Sequence, residues 1–356
     1  MDMDVVIPAV TALLAAIFSV AILDQWRDRR HAYQAAWCLG MLFFAIGSGC
    51  EALAAASGWN ETIYRTWYLT GAVWTAGWLG LGKAFLLGRT RFGYGFALCL
   101  FLAGLFTFLT PRRSPTEYAG VGITPLVYFI IAGALAFSIA TATYFQDWRW
   151  PRLAALAVMG ATVLSIVIMA GATLPPPGYS LDPATGVPTG AILPGQLRLL
   201  TPFMNVTGAF ALILGALFSA WVFMPKRRVL DYSLDPDQPG EQFLFNLILS
   251  PFAFSVNFIV SLPGALRALF AGQLNSRVPA TMLIALGALV PTITDSLNRF
   301  GSTELFQTGK LVGVVLLFLG FLASTETFAV IRIPFTSMVL RGARQDPMPD
   351  ADAPRR

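Results

Sequence analysis

Charge is scarce in this chain, and histidine almost missing. Only 12% of its 356 residues are charged, against about 25% in an ordinary soluble domain. With so little polar surface, a water-soluble fold would leave large apolar patches exposed and aggregate. The one histidine, His31, lies in a charged loop. It excludes bis-histidine haem and argues against a histidine-built metal site. Ser/His/Asp catalysis would have only that residue to draw on, and neither a Walker A sequence nor HExxH occurs. The three cysteines, Cys38, Cys50 and Cys99, all fall inside apolar runs, where small buried hydrophobes belong. The net charge of +5 is small for this length, and no dense basic stripe with interleaved aromatics marks a nucleic-acid groove. A retinal Schiff base needs a buried lysine in the last helix of a seven-helix core, and 201–224 holds none. No catalytic residue, metal or cofactor is expected, and no nucleic acid.

What is present is apolar length. Hydrophobic residues make up 56% of the chain and the mean hydropathy is +0.66. Runs of roughly 20 apolar residues recur, long enough for helices to cross the hydrocarbon core. The short alternating segments of a β-barrel are missing. The fold class is therefore an all-α integral membrane protein.

The first run, 5–23, follows Asp2 and Asp4 and precedes Arg27, Arg29 and Arg30. That charge order is opposite to a cleavable signal peptide and predicts a retained helix with its N-terminus outside. Six further runs follow at about 33–57, 66–87, 94–110, 123–145, 153–174 and 201–224. Inner loops then hold ten Lys and Arg residues, from Arg27 to Arg228, and outer loops four: Arg65, Arg112, Arg113 and Arg198. This asymmetry supports a seven-helix core in the plasma membrane with Lys226 on the cytoplasmic side. Tryptophans 59, 67, 148 and 150 flank the loops, as interfacial residues do. Small residues such as Ala45, Gly49, Gly71, Gly77, Gly80 and Gly82 permit close helix contact.

The sequence divides into a core (1–228), a polar cytoplasmic linker (229–242), a C-terminal membrane appendage (243–344) and a disordered, proline-rich tail (345–356). The appendage offers three apolar segments, yet a chain that begins and ends it inside must cross an even number of times. Proline breaks regular helix. Segment 243–271, with Pro251 and Pro263, is therefore expected to lie re-entrant or along the surface, and the next segment is expected to break at Pro291. About nine spans result.

One carboxylate sits inside a span. Glu51 lies six residues before the outer end of the second run, about 9 Å below the interface. Tyr68, Thr70, Tyr128 and Asn205 fall at similar depth. Ionisable groups in a membrane are costly and usually face a bundle interior or a cavity. Two readings stand. Glu51 is a structural polar group bonded to a neighbouring helix, or it lines an outward-facing pocket with Tyr68, Thr70, Tyr128 and Asn205 and binds a ligand or proton. The long outer loop "LPPPGYSLDPATGVPTGAILPGQLR" either covers that layer or is inert. Lys83 and Glu326 read as groups near inner span ends, and Lys310 as an interfacial anchor. Asp295, Asn298 and Arg299 read as a helix end and turn, or else as a re-entrant functional loop.

"YRTWYLTGAVWTAGWLGLGKAFLL" (64–87) and "FGSTELFQTGKLVGVVLLFLGFLAS" (300–324) resemble segments of uncharacterised prokaryotic polytopic membrane proteins, a resemblance that implies no activity. That pattern tends to carry a neutral residue where Lys83 stands, which weakens any role for Lys83. The seven-helix topology also resembles bacterial seven-helix sensor modules at the level of fold. The leading expectation is non-enzymatic binding or transport of a small or lipidic ligand through the outer polar layer. The alternative is a sensor or assembly subunit acting through a partner. The partners expected are membrane lipids and a membrane protein or second copy. Transport predicts inverted internal repeats, and no convincing one is found.

Overall fold

A chain this apolar has no water in which to satisfy its backbone, so its amide groups must pair within helices. The computed structural model describes residues 3–183, 186–299, 305–324, 331–332 and 339–341. Glu326 and the tail 345–356 lie outside these residues. The helices are α1 (Met3–Arg29), α2 (Ala32–Ser57), α3 (Glu61–Trp67), a π-helical turn (Tyr68–Trp74), α4 (Thr75–Leu86), α5 (Phe92–Arg113), α6 (Thr124–Tyr144), α7 (Trp150–Gly171), α8 (Gly195–Phe223), α9 (Gly240–Phe270), α10 (Arg277–Arg299) and α11 (Phe306–Ala323). A two-stranded antiparallel ribbon pairs Ile331–Arg332 with Val339–Arg341. Among the described residues, nine helices are long and apolar enough to cross a membrane, which makes this an all-α polytopic membrane protein.

Neighbouring helices alternate in direction. Antiparallel α1 and α2 meet where Ser19 Oγ donates to the Cys38 carbonyl at 2.9 Å. Trp37 Nε1 reaches the Leu79 carbonyl of α4 at 3.1 Å. In an apolar solvent the alternative to each such bond is an unmet polar group, which is why both donors turn inward. Two glycine contacts bring backbones together. A Cβ on Gly47 would stand 2.8 Å from Gly71 Cα, and one on Gly80 would stand 2.6 Å from Gly208 Cα. α2, α4 and α8 can approach this closely only without side chains there. Large apolar side chains such as Leu13, Ile130, Phe137, Leu156 and Val167 point outward, as lipid-facing surface.

The bundle has two distinct ends. At one, α1, α4, α6 and α8 finish and α2, α5, α7 and α10 begin; the 224–239 linker lies there, so we term it the linker end. The other carries the connection 172–194 between α7 and α8 and is the loop end.

The prolines do not act as expected. Pro251 and Pro263 lie inside an unbroken 31-residue α9, and Pro291 lies inside α10, which continues to Arg299. The expected break at Pro291 is therefore replaced by regular helix, and Asp295, Asn298 and Arg299 fall in the last turns of that helix, while any turn beyond Arg299 lies outside the described residues. Pro251 deprives the Leu247 carbonyl of its amide partner, and Ser250 Oγ fills the gap at 2.9 Å. Hydroxyls that re-satisfy freed carbonyls are how membrane helices tolerate proline.

Among the described residues, α9 touches the bundle at one end only. Phe243 packs against Tyr94 at a tilt and against Tyr144 edge-on, ring centroids 6.0 and 5.0 Å away. Further along, Phe254 meets Trp221 at 6.0 Å. Asn257 accepts from the amides of Val229 and Leu230 and donates to the Leu230 carbonyl. Ser261 Oγ accepts from the Arg227 amide at 2.8 Å. Near its C-terminus Ala265 packs with Ala220, Met224 and Val278. All of these partners belong to the linker end.

Candidate functional site

The loop-end layer is built around the junction of α3 and α4. A π-helical turn is wider than an α-helix and shifts its hydrogen bonds by one residue, leaving carbonyls to be met from outside; such turns occur often at functional sites. Thr75 meets the Thr70 carbonyl twice, through its amide and through Oγ1 at 2.8 Å. Asn205 of α8 donates Nδ2 to the Ala72 carbonyl at 2.7 Å. Trp74 and Trp78 donate their indole N–H groups to Ser165 Oγ (2.8 Å) and Thr162 Oγ1 (3.2 Å) of α7. Phe43 of α2 stands edge-on to both rings. The turn is thus joined to α2, α7 and α8 at one level.

Glu51 lies beside it, buried on α2. Its Oε1 accepts from Trp67 Nε1 at 2.8 Å. Its Oε2 accepts from Gln307 Nε2 at 3.1 Å and forms an ion pair with Lys310. Lys310 is itself buried and lies 4.4 Å from the Phe306 ring centroid, where an aromatic face adds attraction for the ammonium. Lys310 therefore points inward from the first turns of α11 rather than anchoring at the interface, because a carboxylate at the same depth lacks any other cationic partner among the described residues. Both Glu51 oxygens are bonded within the protein, as a buried charge requires.

Of the sequence-nominated residues, three gather at the π turn. Tyr68 and Thr70 are part of it, and Asn205 bonds to it. The Tyr68 hydroxyl shares a 2.8 Å hydrogen bond with Thr201 Oγ1, while Thr70 Oγ1 donates to the Thr66 carbonyl at 2.7 Å. Glu51 connects to this group through Trp67, whose ring is 5.9 Å from that of Tyr68. Tyr128 stands apart on α6, and its hydroxyl donates to the Gln196 carbonyl at 3.3 Å. The residues missed from sequence are Trp67, Gln307 and Lys310. Depth alone could have suggested Lys310, since it lies four residues inside the loop-end terminus of α11 and Glu51 six residues inside that of α2.

The connection 172–194 is tied down over this layer. The Tyr64 hydroxyl donates to the Thr189 carbonyl. Thr189 and Ser180 pair through backbone (2.9 Å) and hydroxyls (3.1 Å). Gly190 lies so close to the Tyr68 ring that an added Cβ would approach it to 3.0 Å. Arg65 donates to the carbonyls of Met169 and Ala172 at 2.5 and 2.6 Å and pairs with Glu61, so it caps the α7 C-terminus and fixes where the loop starts. Arg198 holds Glu117 at 2.6 Å and lies over the Tyr118 ring, which closes the neighbouring α5–α6 connection against α8.

Lys83 is fully buried near the linker end, where Asp24, Gln25 and Gln34 are buried as well. Among the described residues, no group of three or more His, Cys, Asp and Glu side chains could hold a metal ion. No protein-family model, curated protein or solved structure matches the chain.

Proposed function

We propose that the protein is a non-enzymatic membrane receptor that binds a small or lipidic ligand at the loop-end polar layer and passes the event to its C-terminal helices. The observation that supports this reading is the position of Glu51. One oxygen meets Trp67, inside the aromatic group under the 172–194 loop, and the other meets Gln307 and Lys310 of α11. A single carboxylate so bridges the seven-helix core and the appendage. A ligand that displaces the loop from Tyr68 disturbs Trp67 next, and through it the link to α11. The π turn supplies the adaptable element, because reverting one π turn to α geometry rotates everything beyond it.

The test begins with native mass spectrometry of the gently extracted protein to identify retained lipids and small molecules. Each is then offered back in a thermal-shift series to wild type, Tyr68→Phe and Glu51→Gln. A ligand of this site raises the wild-type midpoint and does so less in both variants. Equal shifts in all three proteins reject the site.

The link to α11 also favours a second reading, a sensor or assembly subunit that acts through a partner protein. A protein that co-purifies in the same extraction and is lost on Lys310→Met supports it.

A further inference from the structure

We infer that α9 does not cross the membrane but lies along the lipid headgroup–acyl boundary at the linker end, with one apolar stripe inserted into that leaflet. Between Phe243 and Ala265 an α-helix advances about 33 Å at 1.5 Å per residue, slightly more than the roughly 30 Å of a bilayer's hydrocarbon core. A crossing helix that met the linker end at Phe243 would deliver Ala265 to the loop end. Instead Phe243 packs on Tyr94 and Tyr144, while Ala265 packs with Ala220 and Val278. Tyr94 and Val278 begin their helices, and Tyr144 and Ala220 are at or near the ends of theirs. Both ends of α9, and its middle at Asn257 and Ser261, are therefore held at the same level. The short connection that follows enters α10 at that level too, where Arg277 lies 4.7 Å above the Phe223 ring.

The side chains suit this placement. Leu244, Ile248, Phe252, Ile259 and Leu266 are all more than half exposed. Their spacing confines them to about 80° of helix surface at 100° per residue. The polar groups Asn246, Asn257 and Ser261 fall elsewhere and bond to the linker, Asn246 through Gln238 at 2.9 Å. A helix with an apolar stripe and a polar strip, lying against the rim of a transmembrane bundle, buries the stripe about 5–10 Å into the headgroup–acyl boundary. The occupant of this face is lipid. The rim around it carries Lys226, Arg227, Arg228, Arg267 and Arg277, suited to anionic headgroups.

The experiment uses full-length protein in vesicles of phosphatidylethanolamine and phosphatidylglycerol, carrying single spin-labelled cysteines at Leu244, Ile248, Ile259 or Leu266. The three native cysteines are free and buried, so the reagent reaches the introduced one. Collision with oxygen and with a water-soluble nickel chelate then gives the depth of each label. All four sites should share one shallow depth. Depth that increases from Leu244 to the bilayer centre and decreases again towards Leu266 overturns it, as does a set of labels equally open to water.

Discussion

Glu51 and Lys310 illustrate how a membrane interior treats charge. A paired carboxylate and ammonium roughly offset the cost of their desolvation, whereas removing one partner leaves the other stranded, at about 3–5 kcal/mol. Glu51→Leu and Lys310→Met should therefore each lower the unfolding midpoint in detergent sharply, while the double variant should recover much of the loss. Additive losses in that cycle would show that the two groups are not coupled. Asn205→Leu should cost about 1–3 kcal/mol, because it buries the Ala72 carbonyl without a donor, and Asn205→Asp should not restore it. The sequence made Glu51 conspicuous but hid its partners. Depth along a helix can be counted from residue numbers, whereas the direction in which a side chain points depends on which helices are neighbours. Lys310 looked like an anchor because it lies near the start of an apolar run, and only the placement of α11 beside α2 turns it inward. Tyr68, Thr70 and Asn205 were found together because they share both depth and a helix junction, and Tyr128 shares only depth.

Elements differ in how well their sequence announces them. The seven apolar runs of the core correspond to α1, α2, the α3–α4 composite, α5, α6, α7 and α8, because hydropathy length is set by the bilayer itself. The π turn left no sequence signal, since its extra residue is accommodated by Asn205 and Thr75 rather than by any local propensity. The prolines misled because their cost falls on a carbonyl one turn back, and a serine beside Pro251 removes it. The contact of α4 with α8 is more demanding. A Cβ on Gly208 would overlap the Ala76 carbonyl. Gly208→Ala and Gly80→Ala should each destabilise by about 1–3 kcal/mol, as overpacking does. Gly133→Ala on α6, where a Cβ meets open space, should be neutral or slightly stabilising because it removes glycine's entropic penalty. Thermal midpoints of the three variants check the contrast.

Taken together, the chain is a bundle whose two ends are differently built. The linker end gathers most loop arginines and lysines, and the loop end gathers the bonded aromatic layer and the tied connection. The charge asymmetry predicts that the linker end faces the cytoplasm. A membrane-impermeant thiol reagent applied to intact cells should then modify Pro183→Cys in the loop and leave Asp235→Cys in the linker untouched. Labelling of the linker residue alone would invert the whole arrangement.

The Glu51–Lys310 pair also sets a timetable. The two residues are 259 positions apart in the chain, and a ribosome adding about 5–20 residues per second needs roughly 13–50 s to travel between them. Trp67 follows Glu51 by only 16 positions, so its indole is made within a few seconds. During biogenesis the nascent core therefore waits with its carboxylate held by one neutral donor until α11 is released.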